Sequence, residues 1–304
     1  MGIRVRIRPE SSPFRGARAA AFGLALAALL PGCARQPKPP AEKTYALRGE
    51  VVSVDAAHRL LTVRHEAISG FMPAMTMDFP VSRGDAALAR PGERIRAVLV
   101  VDAAGAGRLE EVWPDDSPSR VAIDNGAFAL RQDTHDRGGG AYREVGENIP
   151  DFALYDQTGA VVQSGRFRGK QVMLNFIYTR CPIANMCPLS TAKMMATQKL
   201  ARDSGIRNLE LVTITLDPAH DTPGVLREYA ELRGIDTSNF TFLTGPEGAI
   251  RDLLLQFGVI AEFQDGVLKH TLATLLIDEK GRITARADGS VWEPQDFVSK
   301  MHRR

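Results

Sequence analysis

Two cysteines, Cys181 and Cys187, stand in Thr179-Arg180-Cys181-Pro182-Ile183-Ala184-Asn185-Met186-Cys187-Pro188, where an apolar run ends and a helical pattern begins. A thiol pair at such a junction can close a disulfide, exchange one, or hold a soft metal. The only other cysteine among the 304 residues is Cys33, so no framework of structural disulfides competes for the pair. A second cluster lies far upstream, where His65 precedes Met72, Met75 and Met77 in a Met-Pro-Ala-Met-Thr-Met run. Thioethers carry no proton to lose and bind hard or borderline cations poorly, so two of them with an imidazole select Cu(I) or Ag(I). Methionine more often fills a core. A core strand, however, would use Val or Ile where this run has proline, alanine and threonine.

The elements that must position these groups can be read from hydrophobic periodicity. Residues 172–178 and 209–216 are near-continuous apolar runs of strand length, as buried central strands require. A helical stretch at 188–202 lies between them, followed by amphipathic segments at 223–233 and 248–257 and a hairpin at 273–278 and 282–285. Strand, helix, strand, helices, hairpin is a thioredoxin-like order. In that arrangement a helix N-terminus points free N–H groups and its positive dipole end at the thiols, a field that favours thiolate. Pro188 fits the first turn, where its missing N–H costs nothing. A regular helix would place residues six apart on different sides of its circumference, so the chain between the cysteines is expected to be a loop. Upstream, short alternating strands at 46–54, 60–65, 94–100 and 108–112 predict a small all-β barrel of the OB type. Met75 and Met77 then share one face of a further strand, and His65 ends the strand before it.

Composition bounds the rest. Hydrophobic residues at 44% and charged ones at 24% are ordinary for a globular protein of up to two domains. The formal charge of +2 comes from the first 32 residues, where five arginines face one acid; the remainder stands at −2 and shows no basic stripe with interleaved aromatics, which leaves nucleic-acid binding without support. Those arginines lead into an apolar run at 19–30, the length of a signal-peptide core rather than of a membrane span. It closes in Leu30-Pro31-Gly32-Cys33, similar to a bacterial lipobox in which Cys33 becomes the lipidated N-terminus; secretion with a free Cys33 is the alternative. The expected organisation is a signal peptide at 1–32, a proline-rich tether at 33–43, the barrel at 44–114, a linker without periodicity at 115–146 and the thioredoxin-like domain at 147–304. The folded part is expected on the periplasmic side, held to the membrane by the lipid or released to the periplasm.

In order along 147–302, Pro150-Asp151-Phe152, Gly169-Lys170, Asn175-Phe176-Ile177-Tyr178-Thr179, the cysteine pair, Leu216-Asp217-Pro218, Asp221-Thr222-Pro223 and Lys269-His270-Thr271 resemble the Sco/SenC family. The resemblance implies a thioredoxin fold, one copper ion held by two cysteines and a histidine, and help in metallating the dinuclear copper centre of cytochrome oxidase. Its ligands here would be Cys181, Cys187 and His270. This chain has five residues between the cysteines where the family usually has three, and Lys269 where an aspartate commonly precedes the histidine. Two thiolates suit Cu(I), an added imidazole suits Cu(II), and the three together can hold either. The upstream cluster resembles the CusF-like periplasmic copper-binding domain, which implies His65, Met75 and Met77 as ligands. At that family's tryptophan position this chain has Met72, or Phe71 with a one-residue gap, so Met72 is a candidate third thioether.

The expected function is thus a metallochaperone that captures copper and passes it to an oxidase subunit carrying a dinuclear copper centre, with a periplasmic thiol reductant as second partner. Ligand exchange needs no catalytic base. The rival is an enzyme, a thiol-disulfide oxidoreductase with Cys181 attacking and Cys187 resolving. A peroxidase of the same fold is disfavoured by Tyr178, which stands where a threonine is required. A plain structural disulfide and a hydrogen-bonded core histidine at 270 are the bland readings. Asp217 and Asp221 read as turn and cap residues, His220 as an exposed loop residue, and Met186 as packing.

Overall fold

In a computed structural model that describes residues 42–138, 140–264 and 267–302, the first half of the chain forms a curved antiparallel sheet. Its strands are β1 (Lys43–Asp55), β2 (Leu60–His65), β3 (Met75–Pro80), β4 (Arg94–Val101) and β5 (Gly107–Pro114), in the order β3-β2-β1-β4-β5. A short helix α1 (Arg83–Leu88) sits between β3 and β4, and β3 and β5 approach one another across the open side, giving the partly open OB-type barrel. The alternating runs put Leu47, Val51, Leu61, Val63, Phe79, Ile95 and Leu99 inside. Each such burial contributes roughly 1.5–3 kcal/mol.

The stretch expected as a linker holds a 21-residue helix instead, α2 (Ser117–Arg137). Its start signals are present: Asp116 caps it by accepting from the Ser119 N–H, and Pro118 occupies the first turn. Its periodicity was invisible because only Ile123 and Leu130, two turns apart, are buried along it. Between them Gly126 lies so close to Ala153 that a Cβ would stand 2.5 Å from the alanine methyl, so a glycine that weakens the helix by propensity serves its packing.

The second half is a seven-stranded mixed sheet, the thioredoxin-like domain. Its strands are β6 (Ala153–Asp156), β7 (Val161–Gln163), β8 (Gln171–Ile177), β9 (Leu209–Thr215), β10 (Phe240–Thr244), β13 (Ala273–Ile277) and β14 (Ile283–Asp288), ordered β14-β13-β8-β9-β10-β6-β7, with a separate two-stranded hairpin of β11 (Ala261–Gln264) and β12 (Val267–His270). The parallel pairs β8–β9 and β9–β10 are connected by α3 (Cys187–Asp203) and α4 (Pro223–Leu232); α5 (Glu247–Gln256) and α6 (Pro294–Val298) complete the layers. Every residue of β8, β9, β10 and β13 is buried, which accounts for their predominantly apolar character. Not legible in the sequence were α1, α6, β10 and the hairpins β6–β7 and β11–β12, all short elements.

The two halves are packed together. Gly84 of α1 and Gly224 of α4 meet backbone to backbone: a Cβ on Gly84 would stand 1.9 Å from the Gly224 carbonyl oxygen. Beside them the Gly84 N–H donates to Glu228 at 3.1 Å, and Trp113 of β5 joins Tyr155 of β6 in a small shared core. Among the described residues no helix is long and apolar enough to cross a membrane. The apolar run at 19–30, Cys33 and nearly all of the tether lie outside the described residues.

Candidate metal centres

The mouth of the mixed sheet is where β8 and β9 end. Leu216 donates its N–H to the Ile177 carbonyl at 2.8 Å, so the two strands stay paired to the point where the chain turns toward Cys181. Asn175 in β8 donates to Ser190 in the first turn of α3 and accepts from Thr213 of β9, a buried bridge that fixes helix against sheet. Cys181 opens an irregular segment and Cys187 is the first residue of α3 with Pro188 in its first turn, as the spacing required.

His270, at the end of β12, arrives from the other side. Its Nδ1 lies 3.0 Å from the Thr271 carbonyl oxygen, which can only accept, so the proton sits on Nδ1 and the Nε2 lone pair faces outward. Nε2 stands 3.3 Å from the Cys187 sulfur. Sγ of Cys181, Sγ of Cys187 and a ring nitrogen of His270 all lie within 4.8 Å of one another. Three donors around one ion, at bonds of about 2.0–2.3 Å, stand about 3.5–4 Å apart, so shifts of roughly 1 Å would close this cluster on an ion. The five-residue spacing between the cysteines therefore does not prevent convergence. Tyr178 meets the His270 ring edge to face at 5.4 Å and donates to the Leu268 carbonyl, an aromatic wall that the residue pattern alone did not reveal.

The electrostatics correct one expectation. Cys187 is 1% exposed, and burial pushes its thiol well above the ordinary range despite its place at a helix N-terminus. Desolvation outweighs the dipole here, and a bound cation would favour loss of the proton. Burial likewise lowers His270, which keeps the imidazole a neutral donor. Cys181 is half-buried, and both cysteines are free thiols.

Asp221 is not the cap of α4; Thr222 is, accepting from the Val225 N–H. Asp221 is fully buried and accepts from the N–H and hydroxyl of Thr179 and from the Thr215 hydroxyl, which ties the segment leading to Cys181 onto β9. Burial raises its carboxyl above the usual range. Asp217 accepts from Arg180 at 2.7 Å, one residue from Cys181. His220 is exposed, as expected.

In the barrel, β2 and β3 pair so that His65 stands opposite Met75 and Val63 opposite Met77. Val63 and His65 point inward, which places the imidazole and both thioethers on one face. Met75 is 47% exposed, while Met72 and Met77 pack partly against the barrel core. His65 is 2% exposed; its Nδ1 donates to the Glu66 carbonyl at 2.7 Å, and its buried Nε2 has no partner. A buried unpaired nitrogen costs about 1–3 kcal/mol, and a soft cation shared with the methionines would satisfy it. Gly49 of β1 pairs directly with His65, where a Cβ would fall 2.9 Å from the His65 Cα. Phe71 is stacked on Tyr45 with ring centroids 4.3 Å apart.

Fold and site together define a thioredoxin-like domain carrying a soft-donor cluster at its mouth, joined to a small barrel with a second one. Residues 141–304 match the SCO1/SenC family model, and the chain belongs to that family of copper-binding proteins. Residues 44–114 match the model of the copper binding periplasmic protein CusF. The SCO2-like protein RC0895 of Rickettsia conorii is 34% identical over 157 residues, covering 49% of this chain and 74% of that one. RP587 of Rickettsia prowazekii is 33% identical over 138 residues, covering 43% of this chain; the match spans 64% of RP587's own length. The solved structure of BsSco, described with a disulfide switch and as a member of the Sco family of cytochrome c oxidase assembly proteins, shares 24% identity over 52% of this chain and 94% of that one, at a TM-score of 0.46.

Proposed function

We propose that the protein is an extracytoplasmic metallochaperone that takes up Cu(I) and delivers it to the dinuclear copper centre of a membrane cytochrome oxidase. Cys181, Cys187 and His270 would hold the ion that is delivered, and His65, Met75 and Met77, with Met72 beside them, a second one. The observation that carries this reading is the convergence of two sulfurs and an imidazole nitrogen within 4.8 Å. Copper is cargo here. The chain's own residues supply donors, keep His270 in the tautomer that presents Nε2, and hold the Cys181 segment through Asp221. The link to an oxidase rests on what is said of BsSco, and the periplasmic setting on the description of CusF. A signal peptide at 1–32 and a lipid on Cys33 complete the proposal.

Thiol-disulfide exchange on client cysteines is the second reading, favoured by two free thiols so close together. In that role Cys181 attacks and Cys187 resolves, because the buried, proton-bearing Cys187 is the poorer nucleophile. The experiment that separates the two is Cu(I) loading followed by incubation with an apo copper-centre domain. Copper appearing in the acceptor supports delivery; rapid reduction of the client's disulfide with no copper uptake by this protein supports exchange.

A further inference from the structure

The widened segment between the cysteines carries more than spacing. Residues 182–185 are all exposed, whereas Met186 is half-buried and Cys187 is buried. Its backbone is held from both sides, the N–H donating to the Ile183 carbonyl and the carbonyl accepting from Ser190. Met186 forms part of the wall of a cleft of about 540 Å³ that is also lined by His270, Asn185, Tyr142, Arg286 and Ser290. Of the Cys181, Cys187 and His270 cluster, His270 stands on the wall of this same cleft. Met186 is thus next to one candidate ligand in sequence, about 3.8 Å away Cα to Cα, and shares a cavity with another.

We propose that Met186 is an additional, exchangeable soft donor to Cu(I) at the Cys181, Cys187 and His270 site. The proposal rests on the copper reading above. The chemistry is ligand exchange without oxidation: the thioether offers a lone pair to the ion as a sulfur or nitrogen donor departs, and no proton moves with it. That distinguishes it from Cys187, which must give up a proton to bind and regain one to release. A neutral thioether at the mouth keeps Cu(I) coordinated while an incoming ligand replaces a cysteine. It also favours Cu(I) over Cu(II) and Zn²⁺ at that step.

The test is copper K-edge absorption spectroscopy on selenomethionine-labelled full chain carrying Met75→Leu and Met77→Leu, loaded with one equivalent of Cu(I). Selenium scattering in the copper shell beside cysteine sulfur is expected, and it should vanish on adding Met186→Leu, a near-isosteric change that the fold tolerates. Met186→Leu should also release Cu(I) to a bathocuproine chelator about tenfold faster, the lower end of what losing a supporting group costs a metal site. A shell of cysteine sulfur and nitrogen without selenium would overturn the proposal and leave the cysteine site standing. Selenium that survives Met186→Leu would overturn it too, by pointing to another methionine. A shell with neither selenium nor cysteine sulfur would overturn both this role and the copper reading beneath it.

Discussion

Two imidazoles in this molecule are prepared in the same way and left in different states. His65 in the barrel and His270 in the thioredoxin-like domain each donate from Nδ1 to a backbone carbonyl, at 2.7 and 3.0 Å, and each presents Nε2. The Nε2 of His270 finds the Cys187 thiol at 3.3 Å, whereas that of His65 is buried with no partner beside methionines. The His270 nitrogen is therefore satisfied by a thiol whose proton copper must displace. The other is held open at an energetic cost and asks nothing but a soft cation. Thiols give a site that trades protons for metal and can also exchange disulfides; thioethers give one that can do neither. The pairing suits the proposed capture and hand-over of copper.

The largest expected effect tests whether the two sites are independent. Cys181→Ser with Cys187→Ser should take the bound Cu(I) from about two ions to about one, with the thioether site filled as before; metal analysis after gel filtration reads this directly, and unchanged stoichiometry would contradict it.

Next comes the contact between the domains. Asp85 of α1 is 4% exposed; it accepts from the Ser82 hydroxyl, lies against Gly224 and faces Glu228 of α4, and its Oδ1 is unpaired. Arg94, Glu93 and Asp116 share the adjoining cavity of about 420 Å³. Burial raises its carboxyl from 3.8 to about 6. The folded form therefore binds the proton more tightly than the unfolded one, and the contribution to stability, whole below pH 4, is lost as pH rises to 6. The loss is about 3 kcal/mol for a shift of about two units. Asp85→Asn should flatten this slope and raise the melting temperature at pH 7.5 but not at pH 4; an unaltered pH profile would exclude Asp85 as its source.

A smaller effect is expected from Gly84→Ala, whose methyl would strike the Gly224 carbonyl. The cost should be about 1–3 kcal/mol, accompanied by a red shift of Trp113 fluorescence as the barrel lifts from Tyr155. Emission like that of the wild type would mean the contact yields without separation. Smallest of all, His65→Leu removes an unpaired buried nitrogen. It should leave the apo barrel equally stable or more stable by about 1 kcal/mol while abolishing Ag(I) binding there. Clear destabilisation would show that the imidazole has a structural role.

The sequence made legible whatever runs long or carries unusual donors. The buried strands β8 and β9, the three main helices of the thioredoxin-like domain and both donor clusters followed from apolar runs and from residue types that have few other uses. What escaped notice depends on contacts between distant segments. Helix α2 buries only two of its 21 residues, α1 is six residues held by a glycine-to-glycine approach, and Asp221 resembles a cap until its three donors are seen. The raised pKa of the Cys187 thiol has the same origin. A helix start is visible in the chain, but the burial that overrides its dipole comes from elsewhere in the fold.

The difference between the two sites is most directly tested by copper K-edge spectroscopy on the Cu(I)-loaded full chain, recorded for the Cys181→Ser, Cys187→Ser variant and for the Met75→Leu, Met77→Leu variant. The first should show thioether sulfur with one imidazole nitrogen, and the second short thiolate sulfur with one imidazole nitrogen and the Met186 thioether. The same shell in both, or no thiolate sulfur in the second, would contradict the existence of two chemically distinct copper sites.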